Sequence, residues 1–228
     1  MTLCIECALR YKSFPQAADL WAVLAKTHPA LRFPGVEARL RRRRSDGFSI
    51  NHAAGEIHFV QVFNHQLARL GFEGVITGVD DAETWLSSLL RHPDFIQARV
   101  YDRDYDFWQN AHDRIQYEGS GRSMEGLPMV SNGLPYPMTA DIVDTSRNPG
   151  RYVLRSRYFE SVGSTMWLGN AFWQALNRSP PDWTVIPALR IDEHDEFVRV
   201  EAYGQPFTAS DGAQGEMQIA LRRLIFGV

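Results

Sequence analysis

Asp102, Asp104 and Asp106 stand two residues apart. In an extended chain that spacing puts all three carboxylates on one face. An all-oxygen row, with His112 or Asp113 nearby, suits Mg²⁺ or Ca²⁺, and the chemistry it would support is that of a metal-dependent hydrolase or nuclease. Metal sites usually draw ligands from several elements, however, and a row of one sign more often forms an exposed face that meets a basic partner. A second acidic run, Asp192-Glu193-His194-Asp195-Glu196, falls between two apolar segments and reads as a hairpin tip. Such a tip seldom desolvates a carboxylate enough to make it a general acid or base, so it too reads as a contact for a partner.

Other patterns point away from catalysis. Cys4 and Cys7 form a C-x-x-C, but in a strand they face opposite ways and no second cysteine pair completes a zinc site. Gly119-Ser-Gly121-Arg-Ser lacks the strand and helix of a nucleophile elbow, and Met124 stands where a dinucleotide fingerprint needs its third glycine. The seven histidines include no H-E-x-x-H, and His58 and His65 would share a face only on a helix. Lysines occur at 12 and 26 only, which removes P-loop and Schiff-base mechanisms from the rest of the chain. Arg39 and Arg41 to Arg44 could meet phosphate, but the formal charge of the whole chain is still −3, and no aromatics interleave with the run. A solvated helix end is the better reading. Tyr101, Tyr105, Trp108 and Tyr117 sit among charges, the composition of a protein interface.

The elements that would position these groups follow from hydrophobic period. Leu3 to Arg10 alternates as a strand, and Ser13 with Pro15 opens a helix running to His28 before Pro29 and Pro34 break the chain. Within 46 to 71 both periods fit, and the second half leans towards helix. Val75 to Val79 reads as a short buried strand. Asp80 and Glu83 make an acidic capping box for a helix whose stripe is Ala82, Trp85, Leu86, Leu89 and Leu90. Ile96 to Phe107 reads as the strand that carries the aspartate row, and 118 to 135 as a long loop. Thr139 to Asp144 and Tyr152 to Phe159 predict a hairpin across Asn148-Pro149-Gly150. Thr165 to Leu168 predicts a strand and Asn170 the cap of a short helix. Thr184 to Ile191 pairs with Phe197 to Tyr203, and Asp211 caps a last helix with Ala213, Met217, Ala220, Leu221 and Leu224 on one face.

At 228 residues, with 44% hydrophobic and 22% charged content, the chain can bury a core without disulfides or metals. The pattern predicts one α+β domain over residues 1–228, a mostly antiparallel twisted sheet with helices packed on it. The N-terminus lacks the pattern of a signal peptide and no segment has the length of a membrane span, so a reducing cytoplasm is expected.

Two stretches, Ser164-Thr-Met-Trp-Leu-Gly169 with Phe172-Trp173, and Leu221-Arg-Arg-Leu-Ile-Phe-Gly227, resemble bacterial immunity proteins of polymorphic toxin systems, in particular the immunity protein fifty-two family. The resemblance implies an α+β protein without chemistry, cofactor or small-molecule substrate of its own. It would bind and block one cognate toxin encoded by an adjacent gene, a nuclease delivered by type VI or contact-dependent secretion. On that reading the partner-binding residues are Asp102, Asp104, Tyr105, Asp106 and Trp108, with Glu193, Asp195 and Glu196. The alternative is the metal-dependent hydrolase or nuclease that uses the aspartate row.

Overall fold

A computed structural model describes every residue except 29, 30, 34, 44–46, 53 and 54. Pro29, Pro34 and Arg44 therefore lie outside the described residues. The fold is α+β, built on one antiparallel eight-stranded sheet.

The sheet grows outward from β1 (Leu3–Arg10), whose residues from Leu3 to Leu9 are all buried. On one side β1 pairs with β4 (Leu67–Glu73), which continues to β3 (Gly55–Val62) and β2 (Gly47–His52). On the other it pairs with β5 (Phe95–Asp102), followed by β10 (Thr165–Gly169), β12 (Phe197–Glu201) and the edge strand β11 (Arg190–Glu193). Side chains alternate between two cores. Ile5, Cys7 and Leu9 join Trp21, Leu24, Phe72 and Trp85 beneath α1 (Ala17–Thr27), α2 (Val36–Arg43) and α3 (Val79–Leu90). Ala8, Ile96, Met166 and Leu168 face Phe172, Trp173, Leu221 and Ile225 of α6 (Asn170–Leu176) and α7 (Gly212–Phe226). Among the described residues no helix is long and apolar enough to cross a membrane.

The structure corrects several expectations. Residues 55 to 73 form two strands around a 3₁₀ turn at Phe63–His65, with no helix in the second half. The helical spacing there arises because β4 is buried on both faces: Leu67 enters one core while Ala68, Leu70 and Phe72 enter the other. His58 consequently lies across from Gly71, whose missing side chain leaves room for the imidazole, and shares no helical face with His65. Val75 and Ile76 are buried without forming a strand; Val79 already begins α3, Gly78 is its N-cap, and Asp80 sits in the first turn. The stripe from Ala82 to Leu90 is buried as its period requires.

Helix α1 starts at Ala17, later than Ser13, and Gly169 takes the N-cap position expected for Asn170. Residues 139–144 do not pair with 152–159. Instead β7 (Asp141–Val143) pairs with β6 (Met129–Ser131), and β8 (Val153–Arg155) with β9 (Tyr158–Glu160). In α7 the buried face runs through Gln218, Leu221, Arg222 and Ile225, and Ala213 is exposed. Two polar residues belong to that face because each has a partner there: Gln218 accepts from the Tyr105 hydroxyl and Arg222 meets the buried Glu160.

Candidate interaction surface

The aspartate row does not exist as a row. The strand ends at Asp102, and residues Arg103–Asn110 form α4. Asp102 is the N-cap: Oδ1 accepts from the Tyr105 amide at 2.9 Å and Oδ2 from the Thr2 amide at 3.2 Å, with the residue only 5% exposed. Asp106 turns inward to Arg99 Nη1 at 2.7 Å. Asp104 alone projects into solvent. An aspartate followed by carboxylates two and four residues on suits a helix N-terminus, where free amides and the helix dipole favour negative charge. Tyr105 donates its hydroxyl to Gln218 Oε1 at 3.0 Å, and burial pushes that phenol up to about 12. Trp108 packs edge-on against Tyr117 of α5 (Arg114–Ser120), with the Arg122 guanidinium 3.9 Å above its ring.

Behind α4 lies a polar cavity of about 440 Å³. Its charges are already spent on one another. Arg99 bonds Glu6 through Nε and Nη2 at 3.2 Å each and Ser161 through Nη1 at 2.7 Å, while Arg69 Nε reaches Glu6 at 2.8 Å and the Tyr152 hydroxyl donates to the same carboxylate at 3.1 Å. Burial disfavours the Arg99 charge, but Asp106 and Glu6 outweigh it and raise its pKa further. Burial likewise raises Tyr101 and Tyr152, so both phenols stay protonated. A second buried group joins Glu160 to Arg222 and, at 2.7 Å, to Arg155. These networks fasten α4, α7 and the β8–β9 hairpin to the sheet. No carboxylate in them is left free as a base. Cys4 and Cys7 are buried and unbridged; burial raises the Cys4 thiol to about 12 and Cys7 higher still, so neither is poised as a nucleophile.

The second predicted cluster is where the sequence places it. Glu193, Asp195 and Glu196 are exposed at the β11–β12 turn. Asn170 holds that turn, its side chain donating to the Asp195 carbonyl at 2.9 Å and its amide to the Glu196 carbonyl at 3.1 Å. Next to it four carboxylates surround the guanidinium of Arg199: Asp192 at 3.0 Å, Glu83 at 3.7 Å, Asp80 at 3.9 Å, and Glu201 in direct contact, with Arg190 a second cation 3.7 Å from Asp192. The edge of the sheet therefore carries a strong excess of negative charge.

Among the described residues, a run of exposed large apolar side chains falls mostly where the sequence reads as loop. Between α5 and β8 the chain forms an arm, the β6–β7 hairpin with its connection at 132–140. Met129, Val130, Leu134 and Met138 are exposed there, and Tyr136 is 92% exposed. The connection has a fixed shape. Asn132 accepts the amides of Leu134 at 3.1 Å and Ala140 at 3.2 Å and donates to the Met138 carbonyl at 2.8 Å, while Thr139 donates to the Leu134 carbonyl at 2.8 Å. At its base Val143 packs with Ala111 and Tyr117 against Trp108, Met124 and Leu127. The sequence signal was the set of apolar residues at 134, 136 and 138 inside a Gly- and Pro-rich stretch, a place where solvent-facing polar residues are the norm. Among the described residues no group of three His, Cys, Asp or Glu side chains is spaced to hold a metal ion.

In comparisons with known proteins, no family model matches the chain and no curated protein matches it significantly.

Proposed function

We propose that this protein acts by binding another protein, as an immunity protein that neutralises a cognate secreted toxin in the cytoplasm of the cell it protects. The observation that carries the reading is the arm: Leu134, Tyr136 and Met138 are held out into solvent on a connection whose own hydrogen bonds fix its shape. Exposed large apolar side chains on a rigid support match the central anchors of an interface, since little conformational entropy remains to be lost on docking. The acidic sheet edge adds complementarity to a basic surface. A nuclease toxin has such a surface, because its substrate is a polyanion.

The alternative, a metal-dependent hydrolase or nuclease, needs three carboxylates on one face. Asp102 is a buried cap and Asp106 is paired with Arg99, so that reading loses the residues on which it was based. The test is co-expression with the toxin encoded by the adjacent gene, read by growth and by co-purification. Rescue of growth together with a stable complex is the expected result. A harmless neighbour that does not co-purify would sink the proposal.

A further inference from the structure

A second, unrelated site opens at the C-terminal end of the chain's first strand. A cleft of about 420 Å³ lies between the end of β1, the 3₁₀ turn, the β8–β9 turn and α6. Its floor is apolar, made by Ile96 and Ala171, and its rim is polar, with Arg10, Tyr11, Gln66 and Arg157. An apolar floor with a few converging polar groups is the usual form of a small-molecule site.

The backbone around the cleft is unusual in one respect. Among the described residues four that are not glycine have positive φ, and two of them, Gln66 at 54° and Arg157 at 72°, stand on this rim; a third, Lys12 at 64°, directly follows Tyr11. Arg157 is the second residue of the two-residue turn between β8 and β9, a position with positive φ that favours glycine. Gln66 follows the 3₁₀ turn where glycine or asparagine is the ordinary choice. The chain thus puts long polar side chains at glycine positions around a single opening. Strain of this kind persists where the surrounding structure imposes it, and here the Arg157 amide is fastened to the His65 carbonyl at 2.6 Å.

The charge of the rim is positive. Arg157 is exposed, and among the described residues its side chain has no ion-pair partner. Arg10 has Asp94 only at 3.9 Å, while Nη2 donates to Gln174 Oε1 at 2.7 Å, which ties the guanidinium to the cleft wall. Tyr11 is steadied edge-on by Phe63 at 5.9 Å.

The geometry points to a binding site for a small organic anion. One carboxylate or phosphate group is held by the guanidiniums of Arg10 and Arg157, and the apolar body lies over Ile96 and Ala171 beside Tyr11. This site is separate from the arm and from the acidic edge, so it stands or falls independently of toxin binding.

The test is thermal melting of the full chain with benzoate, phenyl phosphate or phenol at matched ionic strength. A ligand that binds only the native state raises Tm in proportion to its occupancy. A saturable rise with benzoate or phenyl phosphate at millimolar concentration, and none with phenol, is expected; the better of the two identifies the preferred anion. Arg157→Gly should abolish the rise while the ligand-free variant melts at or above the wild-type temperature, because glycine relieves the positive φ. Arg10→Gln should lose most of the rise. No rise with either anion, or a rise that survives Arg157→Gly, would overturn the proposal. So would a ligand-free Arg157→Gly protein that melts well below wild type, because the side chain would then serve the fold.

Discussion

Glu160 shows how much of the polar interior is structural. It is buried in contact with Arg222, itself 1% exposed, and with Arg155. Burial and the neighbouring Arg151 push the Arg222 pKa down, and Glu160 opposes them. Glu160→Gln should therefore cost about 3 kcal/mol in urea unfolding, since it leaves a buried cation without its counterion. Replacing Glu160 and Arg222 together by methionine should recover most of that loss. His28 makes a pH-dependent contribution of known sign. Its ring stacks on Trp85 at 4.2 Å and Nε2 bonds the Trp85 carbonyl at 3.2 Å, with burial lowering its pKa. Below the unfolded value of about 6.5 the unfolded chain takes up the proton first, so stability falls as pH drops through that range and is fully present above it. In His28→Phe the slope of Tm against pH should flatten. If it stays the same, other groups account for the acid sensitivity. Asp102 belongs with these residues: Asp102→Ala should lose about 1 kcal/mol as a missing helix cap, whereas Asp104→Lys, which only sets a positive charge against the helix dipole, should lose about 0.5 kcal/mol.

At the scale of elements, the arm is the part whose loss should separate binding from folding. Leu134→Ala/Tyr136→Ala removes one half-exposed and one almost fully exposed side chain, so Tm should fall little, while affinity for the toxin should fall by about 2 kcal/mol or more, roughly thirtyfold. Calorimetric titration would measure it, and unchanged affinity would remove the arm from the interface. The elements that could be read from sequence are those whose two faces differ in polarity. Helix α3 kept its whole stripe, and β1, though buried on both faces, sets Leu3, Ile5, Cys7 and Leu9 against a face that carries Glu6 and Arg10. Strand β4 misled because Leu67, on the face opposite Ala68, Leu70 and Phe72, is also apolar and buried, so that Leu67 and Leu70 mimic a helical spacing. The β5–α4 boundary misled for a different reason: Asp102, Asp104 and Asp106 satisfy strand alternation and a helix N-terminus equally well, and only the Tyr105 amide bonded to Asp102 decides between them. The acidic β11–β12 turn was legible because a charged run between two apolar segments has few other places to go. The arm was not, since its strands are three residues each and its apolar side chains face solvent, so no buried face left a pattern to find.

At the scale of the whole molecule, charge and apolar contact sit on different surfaces and should control different steps of association. The acidic edge gathers Glu193, Asp195 and Glu196 beside the carboxylates around Arg199, and Asp104 adds another exposed charge on α4. The arm supplies contacts that count only once the surfaces meet. Long-range attraction between exposed charges acts on the encounter and is screened by salt within roughly 10 Å at 0.1 M ionic strength. Reversing Glu193, Asp195 and Glu196 to lysine should therefore slow association with a basic toxin by about tenfold at low salt, with the difference shrinking as salt rises, and should leave dissociation nearly constant. The arm variant should do the reverse, speeding dissociation with little change in association rate. Surface-plasmon kinetics on the two variants across a salt series would separate these effects. If charge reversal speeds dissociation and leaves association untouched, the acidic residues are buried in direct contacts and do not steer; if neither rate changes, the toxin docks elsewhere and the acidic edge only keeps an exposed strand soluble.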